Sequence, residues 1–255
     1  MRTWLILLAA AVAALLVACG EEDGASPTPG VTPQASPTPV TELCGRALRP
    51  APAEGNVFPN GGFEQGHDPW FALKPPDFLV SQGVAHSGSA SALLRMRAPV
   101  EASGIGIHYL VQEAAPAQMP EVVSGYYRVD NWISGTPKQY LQFVVIAPGP
   151  DNFPTDPPNY QIRYLLAGID QDPFAISNAK FVYLTKEDPP QGKWVYFERN
   201  LREDFQKLWG AVPEGFDCLR FLFEVRFDDK VSGDGPAEAD VYYDDLYLGP
   251  APAPQ

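Results

Sequence analysis

Apolar and polar positions alternate along much of the second half of the chain. Leu219, Phe221, Phe223, Val225 and Phe227 interleave with Arg220, Leu222, Glu224, Arg226 and Asp228. A period of two belongs to an extended strand, and it predicts the first set in a core and the second on the opposite face. Tyr140, Gln142 and Val144 alternate with Leu141, Phe143 and Val145 in the same way, while Tyr126, Arg128, Asp130 and Trp132 fall on one face of their run. From about Asn56 to Leu248, short runs of β-branched and aromatic residues are broken by Pro, Gly and Asp at the spacing of an all-β sandwich. The predicted strands are 92–97, 105–112, 122–132, 140–147, 161–166, 180–185, 194–200, 219–227 and 240–248. One helix is predicted over 201–209, with Phe205, Leu208 and Trp209 on one side. The stretch 148–160 carries Pro148, Pro150, Pro154, Pro157 and Pro158, so it reads as a loop. The expected fold is a two-sheet antiparallel β-sandwich with one short helix in a late loop.

The start of the chain has a different character. Arg2 precedes an almost wholly apolar run from Trp4 to Val17. That run is short for a membrane span, which takes about 20 apolar residues, and fits a secretion signal. It ends in Leu16-Val17-Ala18-Cys19, which resembles the lipobox of bacterial lipoproteins. The resemblance implies cleavage before Cys19, lipid on its sulfur, and a protein held at the outer face of a bacterial cell membrane through that anchor. Residues 19–43 are rich in Pro, Thr and Ser, with Ser-Pro-Thr-Pro at 26–29 and again at 36–39. Such composition reads as a disordered tether, reaching roughly 60 Å at about 3 Å per residue. The expected organisation is a signal over 1–18, a tether over 19–43, one domain over 44–249 and a disordered tail over 250–255. Export also changes the meaning of the cysteines. With Cys19 lipidated, Cys44 and Cys218 remain; a bridge between them is the economical reading, and two separate buried thiols is the alternative.

The chain has 18 Lys and Arg against 31 Asp and Glu, a net charge of −13. Nucleic-acid binding depends on clustered cations, and none are clustered here. No phosphate loop, nucleophile elbow, zinc spacing or dinucleotide fingerprint occurs.

Three patches carry a further resemblance: Asn60-Gly61-Gly62-Phe63-Glu64 with Trp70 after it, His86-Ser87-Gly88-Ser89-Ala90-Ser91-Ala92-Leu93, and Tyr242-Tyr243-Asp244-Asp245-Leu246-Tyr247-Leu248. In this order they resemble the opening, second-strand and closing signatures of carbohydrate-binding-module jelly rolls in the galactose-binding-like superfamily. The resemblance implies a jelly roll with its first and last strands adjacent and a structural Ca²⁺ near those ends, for which Glu64, Ser87 and Asp244 are the candidate ligands. It also implies sugar bound by stacking on aromatic rings and by hydrogen bonds to amides, carboxylates and guanidinium groups. The candidate ligand-binding residues are Arg128, Trp132, Tyr140, Gln142, Arg220, Glu224 and Arg226. The expected function is non-catalytic binding of extracellular carbohydrate by a monomer. Two alternatives stand beside it. A polysaccharide lyase or glycoside hydrolase would use Tyr140 with nearby arginines, or Glu198 paired with Glu224. An envelope scaffold would use the sheet face for protein.

Overall fold

The alternation is realised as two five-stranded sheets in a computed structural model that describes residues 43–47, 49, 55–154, 156 and 158–251. Cys19, the 1–18 signal and nearly all of the 19–43 tether lie outside the described residues, as do residues 252–255. In chain order the elements are β1 (Leu79–Ser81), β2 (Ser91–Ala98), β3 (Gly104–Ala114), β4 (Val122–Ile133), β5 (Gln139–Pro148), β6 (Asn159–Ala167), β7 (Ala179–Tyr183), β8 (Trp194–Asn200), α1 (Leu201–Trp209), β9 (Leu219–Lys230) and β10 (Ala237–Gly249). One sheet has the order β1-β2-β10-β4-β8 and the other β3-β9-β5-β6-β7. The chain crosses between sheets at β2–β3, β3–β4, β4–β5, β7–β8, β8–β9 and β9–β10, the winding of a jelly roll.

One feature of the sandwich departs from the all-antiparallel expectation. β7 runs parallel to β6, with Arg163 opposite Phe181 and Leu165 opposite Tyr183. A parallel pair needs a long connection to carry the chain back to the start of its neighbour, and residues 168–178 provide it. That connection brings Phe174 back over the outer face of the β9 sheet, within cation–π range of Arg163 and Arg226.

Helix α1 occupies 201–209 because both ends are capped. The Asn200 side chain accepts from the Glu203 amide, and Gly210 ends the helix in the left-handed conformation. Phe205 is completely buried, while Leu208 and Trp209 pack partly buried against the main core.

The ends of the domain meet as the closing motif requires. Leu248 O accepts from Val57 N at 2.7 Å, Gly61 O accepts from Leu246 N at 3.0 Å, and the Asn56 amide donates to Leu246 O at 2.8 Å. A Cβ on Gly61 would lie 2.0 Å from Leu246 O, so only glycine allows this approach. The disulfide is present: Cys44 and Cys218 are bonded, with 5.7 Å between their Cα atoms.

The space between the sheets is aromatic. Phe223 of β9 lies within 5.3 to 6.4 Å, centroid to centroid, of Phe58, Trp70, Phe143, Phe197 and Tyr243. Tyr243, like Trp132 and Gln112, carries a buried polar group without a partner among the described groups. Its hydroxyl is buried without a hydrogen-bond partner among the described protein groups, and burial pushes its pKa well up. An unmet buried hydroxyl costs roughly 1–3 kcal/mol. Tyr243→Phe is therefore expected to raise the unfolding free energy by about 1 kcal/mol, read from urea denaturation; a loss of stability instead would show that the hydroxyl is satisfied.

Candidate functional site

The register of β9 with its neighbours builds a polar row across the outside of the β9 sheet. Glu224 lies opposite Tyr109 of β3 on one side and Gln142 of β5 on the other; Arg226 lies opposite Ile107 and Tyr140. Arg163 of β6 faces Val144, one step along. Two small apolar clusters flank these groups. Phe71, Val111, Val144 and Leu222 form one, and Tyr140, Leu165 and Ile169 form the other. Phe71 is held there by reciprocal main-chain hydrogen bonds with Val111, at 3.0 and 2.8 Å.

The polar groups in this row are dense and incompletely matched. Gln142 is completely buried; its amide nitrogen donates to Glu224 Oε2 at 2.5 Å, while its carbonyl oxygen has no hydrogen-bond partner. Arg163 donates from Nη2 to Gln161 at 2.9 Å, but its Nε and Nη1 are buried with none. Burial lowers the Arg163 pKa, and Glu224 acts against that shift. Arg226 pairs with Asp228 and approaches Glu224 Oε2 at 3.8 Å. Burial opposes its charge, and Asp228, Tyr140 and Glu224 more than offset that, so its pKa rises. The guanidinium groups of Arg163 and Arg226 each lie 5.1 Å from the Phe174 ring centroid. A hollow of about 420 Å³ opens at the Arg226 end, lined by Ile105, Lys138, Pro173, Phe174, Asp228 and Asp229 as well. A larger hollow of about 890 Å³ lies between the 115–121 connection and α1, and includes none of these residues.

Of the expected ligand residues, Tyr140, Gln142, Glu224 and Arg226 come together here. The other three do different work. Arg220 is on the same face, but its Nε donates to buried Glu113 at 2.7 Å, and Glu113 also accepts from the Cys44 and Arg46 amides, so this cluster ties down the disulfide segment. Arg128 belongs to the other sheet, where it pairs with Asp130. Trp132 is a correction. Asn131 adopts a positive φ of 56° where the β4–β10 register shifts, and this bulge turns Trp132 into the main core instead of leaving it beside Arg128.

The catalytic alternatives do not find their groups assembled. Glu198 is on β8 and Glu224 on β9, on the outer faces of different sheets. Tyr140 is completely buried, its hydroxyl donates to Asp228 at 2.6 Å, and burial pushes its pKa up, so it offers no accessible base.

The candidate Ca²⁺ ligands converge on the His86–Ala90 turn and meet amides there. Glu64 Oε1 accepts from Ser89 N and Ala90 N, and Oε2 from Ser89 Oγ. Asp244 Oδ2 accepts from His86 N and Ser87 N, and Oδ1 from Asp245 N. These bonds to Ser89 and Ala90 lower the Glu64 pKa, whereas burial raises that of Asp244. Donors facing the carboxylates suit a staple between turn and strand better than a cation cage. Asp244 is buried and Asp245 partly exposed. Asp245 is left-handed at φ 50°, and the resulting bulge brings Leu246 back to the core side with Tyr243.

Sequence reasoning missed Tyr109, Arg163 and Phe174. For Arg163 a signal existed, since Gln161, Arg163 and Leu165 alternate with Ile162, Tyr164 and Leu166. Phe174 sits in a connection and follows no period. No protein-family model matches the chain, and no curated protein does. Among solved structures, it is similar to TmCBM61 in complex with β-1,4-galactotriose, at 13% identity, TM-score 0.41, covering 76% of this chain and 97% of that one. It is similar to a xylan-binding domain from CBM 22, at 13% identity, TM-score 0.41, covering 80% and 100%. It is also similar to the N-terminal CBM22-1-CBM22-2 tandem domain of Paenibacillus barcinonensis Xyn10C, at 16% identity, TM-score 0.42, covering 80% and 52%.

Proposed function

We propose that the domain binds extracellular carbohydrate, without changing it chemically, along the outer face of the β9 sheet. The observation that carries this reading is the set of partly exposed side chains Tyr109, Arg163 and Phe174 beside the buried Gln142, Glu224 and Arg226 network. The Arg163 guanidinium supplies donors for sugar hydroxyls, and the buried network holds its surroundings in place. Tyr109 and Phe174 add ring surface for the C–H faces of a sugar. In this reading Cys19 carries lipid and residues 19–43 hold the domain away from the membrane.

A glycan array probed with the labelled protein tests it. Arg163→Ala is expected to weaken binding to the recognised glycan by about 10-fold or more, as hydrogen bonds involving a charged group are worth roughly 1.5–3 kcal/mol, and Gln142→Ala by roughly 2- to 10-fold through loss of the bond that holds Glu224. A folded Arg163→Ala protein with unaltered affinity, or a native protein that binds no glycan, overturns the proposal.

A further inference from the structure

The other sheet carries an aromatic surface that takes no part in the site above. β4 and β8 pair so that Tyr126 faces Tyr196 and Arg128 faces Trp194. His86, arriving from the Ser-Gly turn, stacks on Tyr126 with 3.5 Å between centroids and 15° between planes, and meets Trp194 edge-on at 5.7 Å. Tyr126 and Tyr196 are 5.1 Å apart. The rings are held from behind and from the rim by acids. Asp245 takes His86 Nδ1 at 2.6 Å and Ser87 Oγ at 2.5 Å; Tyr196 donates to Glu198 at 2.5 Å. Tyr196 is 51% exposed, and Tyr126 and Trp194 are partly exposed. The surface is thus a set of pre-positioned rings in water, and ordering them on binding costs little.

We infer that this face is a second carbohydrate site, for a neutral polysaccharide, and that the domain can hold two glycan segments on opposite sides of the sandwich. The rings offer faces for sugar C–H groups, and Asp245, Glu198 and Asp130 offer acceptors for sugar hydroxyls at the rim. Arg128, beside these rings, is already paired with Asp130 at 3.2 Å. With a net charge of −13 behind it, the patch disfavours uronates, nucleic acid and anionic lipid. Interspersed charges also break the ring surface into pieces too small for an apolar protein contact. The inference shares only its ligand class with the proposed function, since the two sites have no residue in common. Two sites on one rigid domain would let it bridge neighbouring chains, or bind one looped chain with avidity.

Affinity electrophoresis of the full-length protein through gels containing hydroxyethylcellulose, mixed-linkage β-glucan, xylan, glucomannan or galactan tests this. The Trp194→Ala/Tyr196→Ala protein is expected to lose about 10-fold or more of its affinity for at least one of these, while Arg163→Ala leaves that interaction in place. Circular dichroism and urea denaturation confirm that the variants are folded. If the double variant is retarded like the native protein in every gel, or the native protein is retarded in none, the second site does not exist. Binding abolished by Arg163→Ala alone would retain the proposed function and remove this inference; binding abolished by Trp194→Ala/Tyr196→Ala alone would do the reverse.

Discussion

Replacing Cys44 and Cys218 together with serine is expected to lower the unfolding free energy by about 5 kcal/mol, the chain-entropy value for a loop closed across 174 residues. The bridge joins the start of the described domain to the head of β9, and its surroundings amplify the effect. Glu113 is completely buried and accepts from the Cys44 amide at 2.9 Å, the Arg46 amide at 2.8 Å and Arg220 Nε at 2.7 Å. With the bridge gone, the 43–47 segment is free to leave, and its departure removes two donors from a buried carboxylate and admits water to the Arg220 pair. Urea denaturation of the native and double-serine proteins checks this. A loss below about 1 kcal/mol would mean that the Glu113 hydrogen bonds hold the segment unaided or that the unfolded chain is already compact.

The strands were legible because their periods are clean. β9 places Phe221, Phe223 and Val225 in the core and Arg220, Glu224 and Arg226 outside, as the alternation predicts. Helix α1 was legible from Phe205, Leu208 and Trp209 falling on one side, and the structure adds its caps, Asn200 and Gly210. β1 is only three residues long and leaves no periodic trace. The proline-rich connection was legible as a loop, but not its anchoring, with Asp151 N bonded to Glu214 O and Phe153 packed on Tyr160.

The site was half legible, and the reason is that alternation assigns a residue to a face but not to a sheet. Arg128 and Gln142 read alike along the chain, yet β4 and β5 lie in different sheets. A single extra residue also inverts every face beyond it. Asn131 did this to Trp132, and Asp245 did it to Leu246. Both are residue types that tolerate a positive φ, which was the signal available. The ring cluster of His86, Tyr126, Trp194 and Tyr196 joins a turn to two strands distant in sequence, so only the strand pairing reveals it.

Phe223→Ala is expected to cost about 3–5 kcal/mol, a large share of the roughly 5–15 kcal/mol that separates a folded domain from its unfolded chain. The ring is completely buried and central in β9, which lies between β3 and β5. It touches aromatic residues from the opening segment, from β5 on its own sheet and from β8 and β10 opposite, so no single neighbour can move to fill the gap. Phe223→Leu keeps part of the volume and should cost less. Both are read from urea denaturation with an unchanged slope on denaturant. A loss under about 2 kcal/mol for the alanine variant would mean that the surrounding rings collapse into the space. The same substitution bears on binding, because Phe223 lies between Leu222 and Glu224 on the strand that positions Glu224 and Arg226. Any rotation of β9 into the cavity would displace those two groups from Gln142 and Asp228, so glycan affinity should fall with stability in Phe223→Ala and be largely kept in Phe223→Leu.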